Sequence, residues 1–455
     1  MKLPEKFTER MKSMLKTEYD AFINAFENSP IYTGIRINTA KEDAIEAVLS
    51  AFGDLEPIPW CKDGYYADKS LISGNHPYHM AGLFYFQEPS AMSAVSGLPI
   101  EKGDFILDLC AAPGGKSTQA GAALNGSGLL VSNEIVKKRS DILSENIERM
   151  GLTNAVVTNE TPQKLSEKYI EFFDKIIVDA PCSGEGMFRK EPQAVEEWSI
   201  EHTVSCGIRQ RHILDCAVKM LKPGGYLIYS TCTFAPEENE KIAAYLIDTY
   251  NLEICKTNLD MLECGRTKWS DSDYDMSKTR RIFPHTQKGE GHFLALFKKG
   301  GEAVQPCKKE KKPKKPDNVL NDAVSLYRKF EKETLNVKLD GDFVLFGDNL
   351  YLKPQGINID KIKVVRCGLH LGICKKNRFE PSHALVLSLK KEDFKTSVNF
   401  DYNNSQLKAY LMGEVIDCSG SGWTAVLVNG FPIGWGKASG GMLKNHFPKF
   451  MRLKK

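Results

Sequence analysis

The 455-residue sequence contains no apolar run of about 18 residues, whereas a membrane-spanning helix needs about 20. Its N-terminus, MKLPEKFTERMK, is charged and has no apolar stretch of the kind that a secretory signal requires. The sequence therefore predicts no membrane partner and no export, and we expect a cytoplasmic location.

Closely spaced cysteines are also missing. The 12 cysteines are scattered, none form a Cys-x-x-Cys pair, and His76 and His79 have no cysteine pair beside them. Structural zinc sites commonly use such pairs, so the sequence predicts no metal site. We interpret these two histidines as structural or surface residues, together with four that match no ligand spacing: His202, His212, His285 and His292.

Net charge is small in total but unevenly distributed. The chain carries +3, yet residues 351–455 hold 17 lysines and arginines against 7 aspartates and glutamates, a net charge of +10. The remainder is therefore net −7. A basic module on a mildly acidic body predicts a polyanionic partner. A solvated lysine surface without a partner is the alternative, and charge does not separate the two.

Short, nearly continuous apolar runs predict the central fold. Such runs are typical of parallel strands buried on both faces, and helical segments separate them. The alternation predicts a doubly wound α/β sheet. The five predicted strands are Phe105–Cys110, Leu129–Ser132, Ala155–Thr158, Lys175–Asp179 and Tyr226–Ser230, and a further strand, His292–Lys298, ends the region.

The rest of the chain divides around this sheet. A segment with six lysines and three prolines, QPCKKEKKPKKP, predicts a solvated linker. We expect strands in the C-terminal part, including Ala384–Leu389 and Ala409–Met412. The predicted units are an N-terminal α+β domain (1–95), the α/β domain (96–300), the linker (301–318), a small mixed module (319–395) and a compact β module (396–455).

A glycine-containing loop follows the first predicted strand in LDLCAAPGGKS. Gly114 and Gly115 allow a sharp turn and a close backbone approach before the next helix. The segment is not a P-loop, because Cys110 stands where that motif has glycine. Glu134 follows the second strand, where an acidic side chain accepts hydrogen bonds from ribose hydroxyls. The pattern predicts a nucleoside cofactor; a purely structural turn is the alternative.

Two cysteines follow neighbouring predicted strands, Cys182 in DAPCSGEGMFRK and Cys232 in YSTCTFAPEENE. Open α/β sheets bind ligands at the carboxyl ends of their strands, and Asp179 stands beside Cys182 there. Either cysteine is a candidate nucleophile; two buried core thiols are the alternative. We assign an inert role to the others: Cys61, Cys206, Cys216, Cys255, Cys264, Cys307, Cys367, Cys374 and Cys418.

Together these three segments resemble motifs of the Sun-type (Nol/Nop/Sun) RNA cytosine-5 methyltransferases. Arg36–Thr39 and Gln87–Ser90 extend the resemblance toward the N-terminus. The segment Gly434–Lys437 and the basic tail resemble the RsmF branch, which comprises bacterial 16S rRNA methyltransferases with an RNA-binding region of PUA type. The resemblance implies a Rossmann-like methyltransferase core and a PUA-like β module at 396–455.

The resemblance also implies S-adenosyl-L-methionine as the cofactor. Glu134 would bind its ribose, and Asp179 would border both the cofactor and the target base. Thr161 occupies the place where the family often has an acidic residue against the adenine. The loop residues that would surround the methionine part and the sugar are Cys110, Ala111, Ala112, Pro113, Gly114, Gly115 and Lys116.

Cytosine C5 is a poor nucleophile until a thiolate adds to C6, and covalent catalysis of this kind explains the use of cysteine. The residues alone do not say which cysteine attacks. A Pro-Cys cysteine, as in DNA cytosine-5 enzymes, would select Cys182. The Sun-type resemblance selects Cys232 as the nucleophile, gives Cys182 a part in product release, and leaves Asp179 to contact the base.

The resemblance predicts RNA as the partner, either small-subunit rRNA or the 30S particle, with the decoding region as the target. We expect a monomer that does not bind DNA. A tRNA cytosine-5 methyltransferase and a non-catalytic RNA-binding protein with a methyltransferase scaffold are alternatives. A dinucleotide-dependent dehydrogenase is disfavoured, because the sequence lacks GxGxxG.

Overall fold

The computed structural model describes residues 3–68, 70, 72–301 and 318–454. The predicted linker, apart from its two end residues, lies outside the described residues, and so does Cys307. Within the described ranges, no helix is both long enough and apolar enough to cross a membrane.

The N-terminal region begins with two amphipathic helices, α1 (Glu5–Leu15) and α2 (Tyr19–Asn28). A 3₁₀ turn at Lys16–Glu18 separates them. A three-stranded antiparallel sheet follows, in the order β2-β1-β3. Its elements and their neighbours are β1 (Gly34–Ile37), α3 (Ala44–Phe52), β2 (Gly64–Tyr66), α4 (Pro77–Met80), β3 (Phe84–Gln87) and α5 (Ser93–Ser96).

The central region alternates strands and helices, as the apolar runs predict. Its elements are β4 (Phe105–Asp108), α6 (Gly115–Leu124), β5 (Leu129–Asn133), α7 (Lys137–Arg149), β6 (Ala155–Thr158), α8 (Pro162–Lys168), β7 (Phe173–Asp179), α9 (Pro192–Glu197), α10 (Ile200–Met220), β8 (Leu221–Thr231), α11 (Glu240–Tyr250), β9 (Glu253–Cys255), β10 (Glu263–Cys264), β11 (Arg280–Ile282) and β12 (His292–Lys298).

These strands form one mixed sheet whose parallel core runs β6-β5-β4-β7-β8. Strand β12 continues the sheet antiparallel to β8. Apolar side chains of alternating strand residues pack on opposite faces, for example Leu107 on one face and Ile106 on the other. The predicted doubly wound α/β fold is therefore confirmed, and the carboxyl ends of the parallel strands meet at one edge.

The C-terminal region combines two smaller sheets with helices. Its elements are α12 (Asn318–Thr334), β13 (Asp342–Phe346), β14 (Asn349–Lys353), β15 (Val364–Cys367), β16 (Leu369–Lys375), β17 (Arg378–Pro381), α13 (His383–Ser388), β18 (Ser397–Phe400), α14 (Ser405–Leu411), β19 (Ile416–Asp417), β20 (Gly422–Val428), β21 (Phe431–Ser439) and β22 (Met442–Asn445).

The strands predicted at Ala384–Leu389 and Ala409–Met412 are wrong, since helices α13 and α14 occupy those positions. Ser382 caps α13 by accepting a hydrogen bond from Leu385 N at 3.0 Å. Asn404 caps α14 in the same way, through Gln406 N at 2.8 Å. Short apolar runs buried on several sides do not distinguish strand from helix, and the preceding cap residue was the signal that decided the outcome.

Strand β15 belongs to the central sheet although it comes from the C-terminal region. It pairs antiparallel with β6, with Val364 opposite Thr158 and Cys367 opposite Val156. Ile357, shortly before β15, is buried in the apolar cluster of the central domain. The division into five units stays a prediction, and the small mixed module contributes a strand to the central sheet.

The N-terminal region and the last β module share an apolar cluster. Ile35 and Phe84 lie in this cluster with Tyr410 and Val426, and all four are buried. The ring of Tyr78 lies 5.4 Å from that of Tyr402. The C-terminal modules therefore pack against the body of the protein and are not joined to it only through residues 302–317.

Candidate active site

The loop between β4 and α6 turns sharply at Gly114, which has a φ of +117° and caps the helix. Inside the turn, Ser117 Oγ donates a hydrogen bond of 2.7 Å to Asp108 Oδ2, while Asp108 Oδ1 has no hydrogen-bond partner among the described residues. Burial raises the pKa of Asp108 to about 7. Asp108 is fully buried beneath the loop, and through Ser117 it supports the start of α6 from within the fold.

Arg36 of β1 holds the same loop from the N-terminal side. Its guanidinium Nη2 donates to Gly115 O at 3.2 Å and to Thr118 Oγ1 at 2.7 Å. Its Nε donates to Gln87 Oε1 at 3.1 Å, and the whole side chain is buried. The two N-terminal segments of the family resemblance thus meet at the start of α6.

Arg139 of α7 connects the loop with Glu134. Its Nη2 donates to Ala112 O at 2.9 Å, and its Nη1 lies 3.5 Å from Glu134 Oε2. Glu134 is buried and its Oε1 accepts a hydrogen bond from Val136 N at 2.9 Å. Glu134, the residue predicted to bind the ribose, therefore lies at the same sheet edge as the glycine loop, one strand away.

Thr161 does not present its hydroxyl as a substitute for an acidic residue. Its Oγ1 caps α8 by accepting a hydrogen bond from Lys164 N at 3.3 Å. The neighbouring Glu160 is also engaged, with Oε1 accepting from Lys164 Nζ and from Lys363 N, both at 2.7 Å. Glu160, which follows β6, thus binds the backbone of Lys363 immediately before β15.

Asp179, the last residue of β7, is the centre of a charged cluster. Lys116 Nζ lies 2.8 Å from Asp179 Oδ2, and Ser230 Oγ donates to Oδ1 at 2.8 Å. His292 Nε2 lies 3.8 Å from the same Oδ1. Burial alone would raise the pKa of Asp179, but the Lys116 ammonium outweighs it and holds the pKa below its ordinary value.

Cys182 and Cys232 face each other, with 3.3 Å between their sulfur atoms. Gly186 N donates to Cys232 O at 2.8 Å, which ties the two loops together. The hydrogen bond with Cys232, together with burial, raises the pKa of the Cys182 thiol well above its ordinary value. Cys182 is therefore protonated at neutral pH, and its S–H is within hydrogen-bonding distance of the sulfur of Cys232.

A buried polar network connects the loop that carries Cys182 with the loop that carries Cys232. Glu238 accepts hydrogen bonds from Ser183 N at 3.0 Å, from Ser183 Oγ at 2.5 Å and from Gln210 Nε2 at 2.8 Å. Ser183 Oγ is also 2.8 Å from Thr233 Oγ1, in the loop that carries Cys232. Burial raises the pKa of Glu238 to about 7.

All predicted site residues lie at this one edge, on the loops after β4, β5, β7 and β8. Direct side-chain contacts join Lys116 to Asp179 and Cys182 to Cys232, whereas Glu134 is linked only through Arg139. The thiol of Cys110 has its pKa raised by burial, which disfavours it as a nucleophile. Within the described ranges, no group of three or more His, Cys, Asp or Glu side chains is arranged to hold a metal ion.

Sequence reasoning missed three residues of the site: Arg36, Glu238 and His292. Glu238 stands in the quoted YSTCTFAPEENE segment, but no spacing distinguishes it from the adjacent Glu237. His292 matches no metal-ligand spacing, so the sequence predicts a structural or surface role for it. Its position at the start of a strand after the parallel core was the signal for a place at the active edge.

Comparison with known proteins identifies four consecutive matches to family models. Residues 3–89 match the N-terminal domain of 16S rRNA methyltransferase RsmF, and residues 95–298 match 16S rRNA methyltransferase RsmB/F. Residues 329–389 match the first C-terminal domain of RsmF rRNA methyltransferase. Residues 397–453 match the methyltransferase RsmF PUA domain.

Full-length relatives agree with these matches. The ribosomal RNA small subunit methyltransferase F of Vibrio vulnificus is 34% identical over 464 residues, covering 98% of this chain and 97% of the relative. The chain belongs to the RsmF family. The protein of the same name from Shewanella oneidensis is 33% identical and covers 94% of the chain and 92% of the relative.

RsmF-family proteins are S-adenosylmethionine-dependent rRNA cytosine-5 methyltransferases, so the predicted family, reaction and cofactor are confirmed. Among solved structures, a methyltransferase homologue from Pyrococcus horikoshii is 26% identical, with a TM-score of 0.59, and covers 65% of this chain and 95% of its own. NSun6 from the same organism, 23% identical with a TM-score of 0.57, shares the fold over 66% of this chain and 99% of its own.

Proposed function

We propose that this chain forms 5-methylcytosine in 16S rRNA, in the decoding region, through covalent attack of Cys232 on C6 of the target cytosine. Cys182 assists release of the product. The observation that carries the proposal is the 3.3 Å approach of the two sulfur atoms at the edge that also holds the glycine loop and Asp179.

The cofactor site of the proposal is the loop Cys110–Lys116 with Glu134 and Asp179. The carboxylate of Glu134 is suited to the two ribose hydroxyls, and the glycine turn leaves backbone N–H groups near the start of α6. Bound S-adenosylmethionine supplies the electrophilic methyl group that C5 accepts. Arg139, which contacts both Ala112 and Glu134, would fix the spacing between the two sides of the pocket.

Cys232 begins the reaction as a thiolate that adds to C6, which makes C5 nucleophilic. Cys182 suits the opposite role, because its raised pKa keeps a proton on its sulfur at neutral pH. That S–H is placed to hydrogen-bond the Cys232 thiolate before attack. After methylation, a base removes the C5 proton, the C5=C6 double bond forms again, and Cys232 leaves C6 as a thiolate that the Cys182 S–H stabilises by hydrogen bonding, so free methylated RNA is released.

Asp179 would face the N3/N4 edge of the cytosine. The carboxylate is held ionised by Lys116, so it is able to accept a hydrogen bond from the exocyclic amine or to stabilise charge on the ring during attack. Lys116 Nζ contacts Oδ2 of this carboxylate, so in the proposal one cationic group lies close to the reacting base. A preorganised ion pair of this kind requires no rearrangement when charge develops.

The C-terminal module from residue 351 onward, which includes the match to the PUA domain, supports RNA docking, because it has a net charge of +10 while the remainder of the chain is net −7. Phosphate neutralisation by this module would supply most of the affinity for rRNA or the 30S particle. The proposal includes a cytoplasmic monomer without a DNA or membrane partner.

The decisive experiment uses alanine variants of the two cysteines with 16S rRNA, small-subunit particles and S-adenosylmethionine. Cys232→Ala is expected to abolish methyl transfer and to form no covalent adduct. Cys182→Ala is expected to accumulate a denaturation-resistant protein–RNA adduct, because attack proceeds but elimination is slow. Cys255→Ala, at the far end of the sheet, is the matched control and should behave as wild type.

Adducts on Cys182 and none on Cys232 would reverse the assigned roles. Bisulfite mapping of the product identifies the cytosine, and methylation of tRNA without methylation of 16S rRNA would favour the tRNA alternative. If the protein methylates neither 16S rRNA nor tRNA, the result would favour the non-catalytic alternative.

A further inference from the structure

His292 reaches the active edge because its strand runs against the parallel core. Strand β12 is antiparallel to β8, with Phe293 opposite Thr231, and β8 is parallel to β7, with Ser230 opposite Asp179. The first residue of β12 therefore lies beside the last residues of β7 and β8. The topology thus places an imidazole next to Asp179 and near Cys232.

His292 is 3% exposed, and among the described residues neither of its ring nitrogens has a hydrogen-bond partner. Buried polar groups are almost always paired, so an unpaired one at an active edge needs an explanation. Its Nε2 lies 3.8 Å from Asp179 Oδ1, which is about one small side-chain movement from a hydrogen bond.

The imidazole is neutral at physiological pH. Burial, reinforced by the Lys116 ammonium, lowers the pKa of His292 to about 3. A neutral imidazole donates from one nitrogen without cancelling the charge of the carboxylate that it contacts. Lys116 already binds Asp179 Oδ2 and Ser230 already binds Oδ1, so one further donor on Oδ1 would fix the carboxylate on both sides.

We propose that His292 is a positioning residue for Asp179: its Nε2–H donates to Oδ1 when the target base fills the site and so fixes the carboxylate against the base. This inference rests on the proposed function, in which Asp179 contacts the cytosine. His292 itself touches neither cytosine nor cofactor.

The test compares three variants in methyl transfer to 16S rRNA. His292→Phe keeps a flat aromatic ring and removes the donor, and kcat should fall about tenfold, the value of one hydrogen bond to a charged group. The KM for RNA should stay within about twofold, because the docking surface is unchanged. His292→Gln places an amide N–H where Nε2 stood, and it should restore most of the lost rate.

His285→Phe is the matched control, because the side chain of His285 is only 6% exposed and, among the described residues, its two ring nitrogens also lack a hydrogen-bond partner. It lies against Glu18 and Phe22 of the N-terminal helices, away from Asp179. Its substitution should leave kcat unchanged. A fall in both control and test variants would mean that loss of a buried histidine lowers activity through stability alone, and would overturn the inference.

A double-mutant cycle with Asp179→Asn separates positioning from packing. If His292 acts through the carboxylate, His292→Phe should have no further effect on kcat in the Asp179→Asn background. An equal effect in both backgrounds would overturn the inference. A Cys232→Ala variant that still methylates would instead overturn the proposed function, whatever His292 does.

A measurement on the unsubstituted enzyme guards against variants that fail to fold. With ¹⁵N-labelled histidine in the full chain bound to RNA, the inference expects Nε2 to carry the proton and Nδ1 to be bare. The opposite tautomer, or a doubly protonated ring, would overturn it.

Discussion

Asp108 and Asp179 end neighbouring parallel strands, yet their surroundings shift their carboxyl pKa values in opposite directions. Asp108 is buried with one hydroxyl partner, and burial raises its pKa to about 7. Asp179 is only partly buried, and Lys116 at 2.8 Å keeps its pKa below the ordinary value. Exposure and the Lys116 ammonium therefore keep Asp179 ionised, whereas burial favours the protonated form of Asp108.

Glu238→Gln is predicted to change how stability depends on pH. The folded-state pKa of Glu238 is about 7, against 4.5 for an ordinary glutamate, so the native state holds a proton that the unfolded chain has lost between these values. The free energy of unfolding of the wild type should fall as pH rises through this window, by up to about 3 kcal/mol from this group.

The glutamine variant lacks this titration, and its amide matches the surrounding donors and hydroxyls. Its melting temperature relative to wild type should therefore rise between about pH 5 and pH 8. Thermal melts at several pH values measure this difference. If the melting temperatures of the two proteins change with pH in the same way, the pKa of Glu238 does not differ between the folded and unfolded states.

At the scale of elements, the end of α7 is joined to the N-terminal region at Gly82. A Cβ atom there would lie 1.8 Å from Arg149 O, and Gly82 has a φ of +73°. Asn38 Nδ2 stabilises the same contact by donating hydrogen bonds to Gly82 O and Met150 O, both at 2.9 Å. The contact holds the N-terminal region, including Arg36, against the helix that supports the loop between β4 and α6.

Gly82→Ala is predicted to destabilise the protein much more than Gly53→Ala. Gly53 has a similar φ of +77°, but no atom lies within 4 Å of its added Cβ. The control should therefore cost about 1 kcal/mol for backbone strain alone, whereas the backbone clash at Gly82 should add about 2 kcal/mol or more. Urea unfolding compares them, and equal losses would mean that the chain shifts freely at Gly82.

Strands were easier to predict than short helices at this scale. Ala155–Thr158 and His292–Lys298 have the bounds that their apolar runs predict, because strands buried on both faces are apolar throughout. Runs of similar composition at α13 and α14 form helices, because Ser382 and Asn404 cap them and apolar neighbours surround them. Composition alone is ambiguous where both outcomes bury the same side chains.

At the scale of the whole molecule, β15 makes the C-terminal region part of the catalytic sheet. We predict that an enzyme truncated after residue 301 loses S-adenosylmethionine affinity and solubility, although all predicted cofactor residues remain. The truncation exposes the edge of β6 and frees Glu160 from Lys363 N. Calorimetry and gel filtration measure the two losses.

The control for truncation is the full chain cut at a protease site inserted between residues 302 and 317. Both fragments are present, so strand pairing and the apolar clusters should hold them together, and cofactor affinity should equal that of the intact chain. A truncated enzyme that binds cofactor normally would show that the C-terminal region is a separable appendage.

Docking of RNA belongs to the same scale. We predict that replacing Lys444, Lys449 and Lys454 by glutamine flattens the salt dependence of RNA binding, by about 2 in the slope of log K against log salt if all three contact phosphates. All three are exposed, whereas Arg452 is hydrogen-bonded to Phe447 O. Filter binding at several salt concentrations measures the slope.

Three exposed lysines outside the PUA module serve as the control: Lys102, Lys219 and Lys332. Their replacement removes the same charge and should leave the slope unchanged. Equal flattening by both sets would mean that overall charge, and not the PUA surface, determines docking.

The sequence by itself determined the α/β core, the glycine loop, the two cysteines and the family, because each depends on local runs and short motifs. The tertiary structure decided how those residues meet: the sulfur contact of Cys182 with Cys232, the pairing of Lys116 with Asp179, and the approach of His292. Strand order and direction bring these residues together from distant parts of the chain. Burial then sets their ionisation, and no spacing along the sequence records how much water a folded edge excludes.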